Sequence, residues 1–130
     1  MSSSGLTPGQ AALRFALEVA ALVAWGTAAF SVARSTTSSE LVGWLAAGGA
    51  VVVAGAAWAT FRVPGDASAS GGAPVPVSGM VRLVLESVLL LGAAGAVAAT
   101  ASILFGAVLV VTVLGHYIAT LDRVRWLLSR

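Results

Sequence analysis

Cysteine and lysine are both missing from this 130-residue chain, and charge of either sign is scarce. Without cysteine there is no disulfide, no thiolate metal site and no cysteine nucleophile. Only 9% of the residues are charged and 58% are hydrophobic, against roughly 45–50% apolar in ordinary soluble domains. With a mean hydropathy of +0.98, the chain carries more apolar side chain than a soluble core of this size could enclose. All seven basic residues are arginine, and the five acids opposing them leave a net charge of +2. The arginines form no patch interleaved with aromatics, so the pI of about 10.5 reflects a shortage of acids and not a nucleic-acid surface. The sequence also lacks a metal-binding histidine cluster, a phosphate-cradling glycine motif and an interpretable Ser-His-Asp arrangement. The expectation is therefore no enzyme, no cofactor and no metal. Met1 to Gln10 has neither the basic n-region nor the cleavage site of a signal peptide, so the first hydrophobic segment is expected to persist in the mature protein.

What is present is a series of long apolar runs. Thr7-Pro8-Gly9-Gln10 reads as a helix start, with Thr7 as N-cap, Pro8 at the first helical position and Gln10 as capping-box partner. The runs predict helices at about 8–33, 41–62, 79–99 and 103–121 in a single membrane domain spanning 1–130. Each is about the 20 residues that a crossing needs. Pro64 stops the second helix, and residues 64–78, rich in Ser, Gly, Ala and Pro, read as a flexible linker. Thr100-Ala101-Ser102 is the polar break between the last two helices, which are expected to form a tight hairpin. The expected fold is all-α: a polytopic membrane protein, a four-transmembrane-helix bundle made of two helical hairpins.

Arginine placement predicts orientation. Arg14, Arg62, Arg82, Arg123, Arg125 and Arg130 fall at one end of the spans and Arg34 alone at the other, which puts both termini in the cytoplasm of a multi-pass plasma-membrane protein. Trp44 near the outer ends and Trp58 and Trp126 near the inner ends suit anchoring at the two interfaces.

The two halves echo each other. Arg14, Leu17, Glu18 and Leu22 recur 68 positions later as Arg82, Leu85, Glu86 and Leu90. Each half starts and ends on the same side, so the repeat is parallel, related by an axis along the membrane normal. Trp58/Trp126 and Arg62/Arg130 keep the same offset.

Leu13-Arg14-Phe15-Ala16-Leu17-Glu18-Val19-Ala20-Ala21-Leu22, then Trp25-Gly26, Phe61 to Pro64 and Arg82 to Glu86, resemble the YrdB-like family of small uncharacterised bacterial and archaeal membrane proteins. The resemblance spans most of the chain and implies a four-helix membrane protein with no established activity. Where that family would place an Asn-Arg pair near the end of the fourth helix, this chain has Gly115-His116 and later Asp122-Arg123.

The candidate site is an intramembrane polar cluster of Arg14, Glu18, Arg82, Glu86, Thr112 and His116. Arginine and glutamate four apart share a helix face. Glu18 lies about 16 Å along the first helix and Glu86 about 12 Å along the third, at 1.5 Å per residue. Arginine can snorkel from that depth, but glutamate must find a partner, a proton or a cavity. One expectation is reciprocal pairing, Arg14 with Glu86 and Arg82 with Glu18, as a structural pin. The other makes Glu18 or Glu86 a proton-binding carboxylate of a carrier. Thr112, His116 and Thr120 form one stripe on the fourth helix, and His116 lies about 9 Å from its end, near the glutamates' depth. Small residues on the second and third helices suit close helix approach, and leftover small faces suit a homodimer. The expected partners are thus the lipid bilayer and a second copy, with no nucleic acid and with any small-molecule substrate unidentified. Two functions compete: a non-enzymatic scaffold or accessory subunit with structural Arg/Glu pairs, and a minimal proton-coupled transporter using Glu18, Glu86 and His116.

Overall fold

A computed structural model describes residues 5–66 and 72–130. In chain order it contains α1 (Pro8–Thr37), α2 (Glu40–Thr60), β1 (Phe61–Arg62), β2 (Val75–Pro76), α3 (Gly79–Thr100), α4 (Ile103–Ala119) and α5 (Leu121–Leu128). α1, α2 and α3 are each long and apolar enough to cross a membrane, and α4 with α5 makes a fourth such segment that bends by 74°.

α1 starts at the expected capping box: the Gln10 amide donates to Thr7 Oγ1 at 3.2 Å, and the Thr7 amide donates to Gln10 Oε1 at 2.9 Å. The helix continues past Ala33, because Ser35, Thr36 and Thr37 donate their hydroxyls back to the carbonyls of Val32 and Ala33. Polar side chains satisfied this way do not end a helix. Ser38 then adopts a left-handed conformation with φ of 56°, and Ser39 caps α2. Gly43 permits the close α1–α2 approach, since a β-carbon there would press on the Phe30 ring at 2.8 Å.

Residues 64–78, expected to be a flexible linker, are tied down at both described ends. β1 and β2 pair in parallel, Phe61 with Val75 and Arg62 with Pro76, and the Val77 amide donates to the Arg62 carbonyl at 3.0 Å. Val63 and Asp66 are buried. The middle of that segment, 67–71, lies outside the described residues.

The α3–α4 hairpin turns at the expected Thr100-Ala101-Ser102, with Ser102 capping α4 through the Phe105 amide at 3.1 Å. A side chain at Gly106 would overlap the backbone of Ala94 and the methyl of Ala98, so glycine lets the two helices touch. α4 stops at Ala119, short of 121, and the chain turns into α5, an element absent from the sequence expectation. α5 lies across the start of α3: Gly79 has no room for a β-carbon beneath the Leu127 carbonyl, and its amide donates to the Arg130 carbonyl at 3.1 Å. Trp126 and Leu127 bury themselves with Val63 there.

α1 sits centrally, packed on α2, α3 and α4, while α2 rests mainly on α1 and barely meets α3. The core is Leu17, Ala21 and Ala24 against Leu90, Ala93, Val97, Leu109 and Val113. Large apolar side chains face outward, among them Leu45, Val53 and Leu104 at 66%, 70% and 72% exposure. That inside-out pattern matches spans whose outer faces meet lipid.

Candidate functional site

The N-terminal turns of α1 and α3, the C-terminal end of α2, Asp66 and the start of α5 converge at one end of the molecule. Glu86 is the hub there and is fully buried. Its Oε1 accepts from Arg14 Nη2 at 2.6 Å, Arg82 Nε at 2.9 Å and Arg123 Nη2 at 2.8 Å, and its Oε2 accepts from Arg123 Nη1 at 3.1 Å. Arg123 also grips Asp66 with two bonds, Nη2 to Oδ2 at 2.6 Å and Nε to Oδ1 at 3.1 Å. Arg14, Arg82, Arg123 and Asp66 are all at most 4% exposed. Buried charges of this kind persist only when paired and hydrogen-bonded, and each member depends on the others.

Trp58, near the end of α2, serves two of these cations. Arg14 lies 5.2 Å and Arg82 4.7 Å from the indole centroid, within cation–π range. Arg82 also donates Nη1 to the Trp58 carbonyl at 2.8 Å and to the Phe61 carbonyl at 2.5 Å. A cation at a helix C-terminus satisfies carbonyls that lack an intrahelical partner. Arg82 thereby joins α2 to α3, two helices that otherwise scarcely touch.

The expected reciprocal pairing forms by half. Arg14 reaches Glu86 across the helices, but Arg82 pairs with Glu86 on its own helix, and Glu18 meets Arg14 on its own helix at 3.2 Å. The reason is a rotation. Arg14/Arg82 and Gly26/Ala94 are buried in both helices at the 68-residue offset, but of the other positions α1 buries Leu17, Ala21, Ala24 and Ala28, which map to Leu85, Leu89, Gly92 and Ala96, whereas α3 buries Glu86, Leu90, Ala93 and Val97, one residue later. One residue is about 100° of helix at 3.6 residues per turn, so the two matching sequences present different faces. Glu86 points into the core and Glu18 to its edge.

Glu18, whose side chain is 27% exposed, lines a crevice of about 180 Å³ between α1, α2 and α3 with Trp25, Gly55, Trp58, Leu89 and Leu90. Trp25 is held in place by its Nε1 donating to the Leu89 carbonyl at 2.9 Å.

His116 is 1% exposed and neither ring nitrogen has a hydrogen-bond partner among the described residues. It lies near the cluster without bonding to Glu18 or Glu86. Thr112 is not brought into the cluster: its hydroxyl donates to Val108 on its own helix at 2.8 Å, and it borders the lipid-side groove between α1 and α4. Among the described residues no group of three His, Asp or Glu side chains could hold a metal ion.

Three participants escape a reading of the sequence. Arg123 counts in the sequence only as one of the arginines setting orientation, Asp66 falls in the segment expected to be a flexible linker, and Trp58 is expected to be an interface anchor.

The model of the family described as "Protein of unknown function (DUF2568)" matches residues 12–114. The chain belongs to that family. It is also similar to the protein named "Uncharacterized protein YrdB" from Bacillus subtilis (strain 168), 32% identical over 118 residues that cover 91% of this chain and 92% of that protein. No solved structure matches. In this DUF2568 member the matched region contains Arg14, Glu18, Trp58, Asp66, Arg82 and Glu86, while His116 and Arg123 lie beyond it.

Proposed function

We propose that this DUF2568 protein is a non-enzymatic membrane scaffold or accessory subunit: a four-helix bundle of two parallel-repeat hairpins in the plasma membrane, with both termini cytoplasmic and a tendency to dimerise. The observation that carries the reading is Glu86, whose oxygens accept from three guanidiniums with no exposure to solvent. A carboxylate so enclosed fastens helices and has no free valence for a substrate. Orientation is supported by arginine bias, since the lone arginine at the opposite end, Arg34, is exposed and lies 3.4 Å from Glu40. Dimerisation is supported by the small, exposed Gly48 and Gly49 of α2, which have open space beside them.

Glu18 favours a second reading, a minimal proton-coupled transporter, because this carboxylate borders a crevice. The discriminating experiment is reconstitution into liposomes containing a pH-sensitive dye, with an imposed proton gradient. The scaffold reading expects the leak of protein-free vesicles. A flux that Glu18→Gln abolishes overturns it in favour of transport.

A further inference from the structure

We propose that the crevice beside Glu18 binds an organic cation: a permanently charged or protonated amine carrying one hydrophobic ring. The inference goes beyond the scaffold reading and requires no transport.

The crevice has the composition that such a ligand needs. Its walls are apolar, with Leu22, Ala54, Leu89 and Leu90, and Trp25 supplies an aromatic face beside Trp58, whose ring already carries Arg14 and Arg82. Indoles attract desolvated cations by about 2 kcal/mol. Its single charged lining residue is Glu18. The size suits one ring with a small ammonium head: at about 180 Å³ it slightly exceeds the roughly 150 Å³ engineered apolar cavity that accepts benzene. Ligand access exists because α2 and α3 scarcely touch along this side.

Among the three acids of the cluster, Glu18 is the least tightly held by guanidiniums. Arg14 gives its short bond, 2.6 Å, to Glu86, and its Nε approaches Glu18 at 3.2 Å without hydrogen-bond geometry. Glu86 and Asp66 receive well-formed guanidinium bonds, and among the described residues Glu18 receives none. An incoming ammonium can thus contact the Glu18 carboxylate while Arg14 keeps its bond to Glu86. An anion would meet that carboxylate, and a neutral hydrophobe would dry the crevice while adding no partner to the carboxylate beyond Arg14.

The test is a titration of the full chain, in nanodiscs of zwitterionic lipid, with benzyltrimethylammonium. Tryptophan fluorescence reads the occupancy, since two of the four tryptophans line the crevice. Saturable quenching is expected in wild type, with affinity reduced at least about tenfold in Glu18→Gln. Gly55→Leu supplies an independent arm: Gly55 lines the crevice and a β-carbon there meets no atom within 4 Å, so a larger side chain starts in open space and adds no charge. That variant is expected to keep wild-type thermal stability and lose binding. Absence of saturable binding in wild type, equal affinity in Glu18→Gln, or binding retained in folded Gly55→Leu would each overturn the proposal. Should Glu18→Gln not fold, the Gly55→Leu result decides alone.

Discussion

Arg14 and Glu86, 72 residues apart, meet at 2.6 Å inside the molecule. This contact fastens the central helix α1 to α3, and the same carboxylate holds α3 to α5 through Arg123. Because Arg82, one turn earlier on α3, caps the end of α2, one cluster joins four of the five helices among the described residues. Charges that look like separate intramembrane liabilities become a joint for the whole fold.

Removing the Glu86 charge takes one carboxylate partner from three buried guanidiniums, while removing that of Glu18 affects a partly exposed contact. Glu86→Gln is expected to lose about 3–5 kcal/mol of stability, the range for breaking a buried ion pair. Glu18→Gln is expected to lose no more than about 1 kcal/mol. Thermal unfolding of the two variants in mild detergent checks the order; equal losses would contradict the different roles given to the two glutamates.

The Asp66–Arg123 fork holds the end of the inter-hairpin segment against α5. A double-mutant cycle with Asp66→Asn and Arg123→Gln should give a coupling of about 0.5–3 kcal/mol, as for directly contacting residues. Additive losses would show that the fork contributes nothing beyond its separate contacts.

Gly79 supports α5 by leaving space for the Leu127 carbonyl. Gly79→Ala is therefore expected to cost about 1–3 kcal/mol, as overpacking does, and to lift α5. The chain has no cysteine, so Leu127→Cys can report the change: this buried position should react slowly with a maleimide in the wild-type background and quickly with Gly79→Ala. Equal rates would mean that α5 docks without help from this contact.

The orientation proposed from arginine bias is open to the same chemistry. A membrane-impermeant maleimide added to intact cells should label Ser38→Cys, between α1 and α2, and spare Arg125→Cys on α5, whose side chain is 71% exposed. The reverse pattern would invert the topology.

Helix positions were legible in the sequence because hydrophobic length and caps are local properties. Thr7, Ser39, Ser78 and Ser102 each cap the helix that follows, and the α3–α4 break falls at its only polar triplet. α5 was not legible. Eight residues containing two arginines and an aspartate carry no span signal, and what holds them is the floor formed by Val63 and Gly79, which are distant in sequence.

The sequence alone determined that this is a helical membrane protein with two arginine–glutamate turns, since apolar excess and the cost of burying charge operate whatever the fold. Which glutamate became the sealed hub and which faced the crevice was decided only by tertiary structure. Identical spacing cannot reveal that α3 is turned by one residue relative to α1. That turn, set by how Leu90, Ala93 and Val97 pack against Leu17, Ala21 and Ala24, places Glu86 among three arginines and leaves Glu18 at the edge.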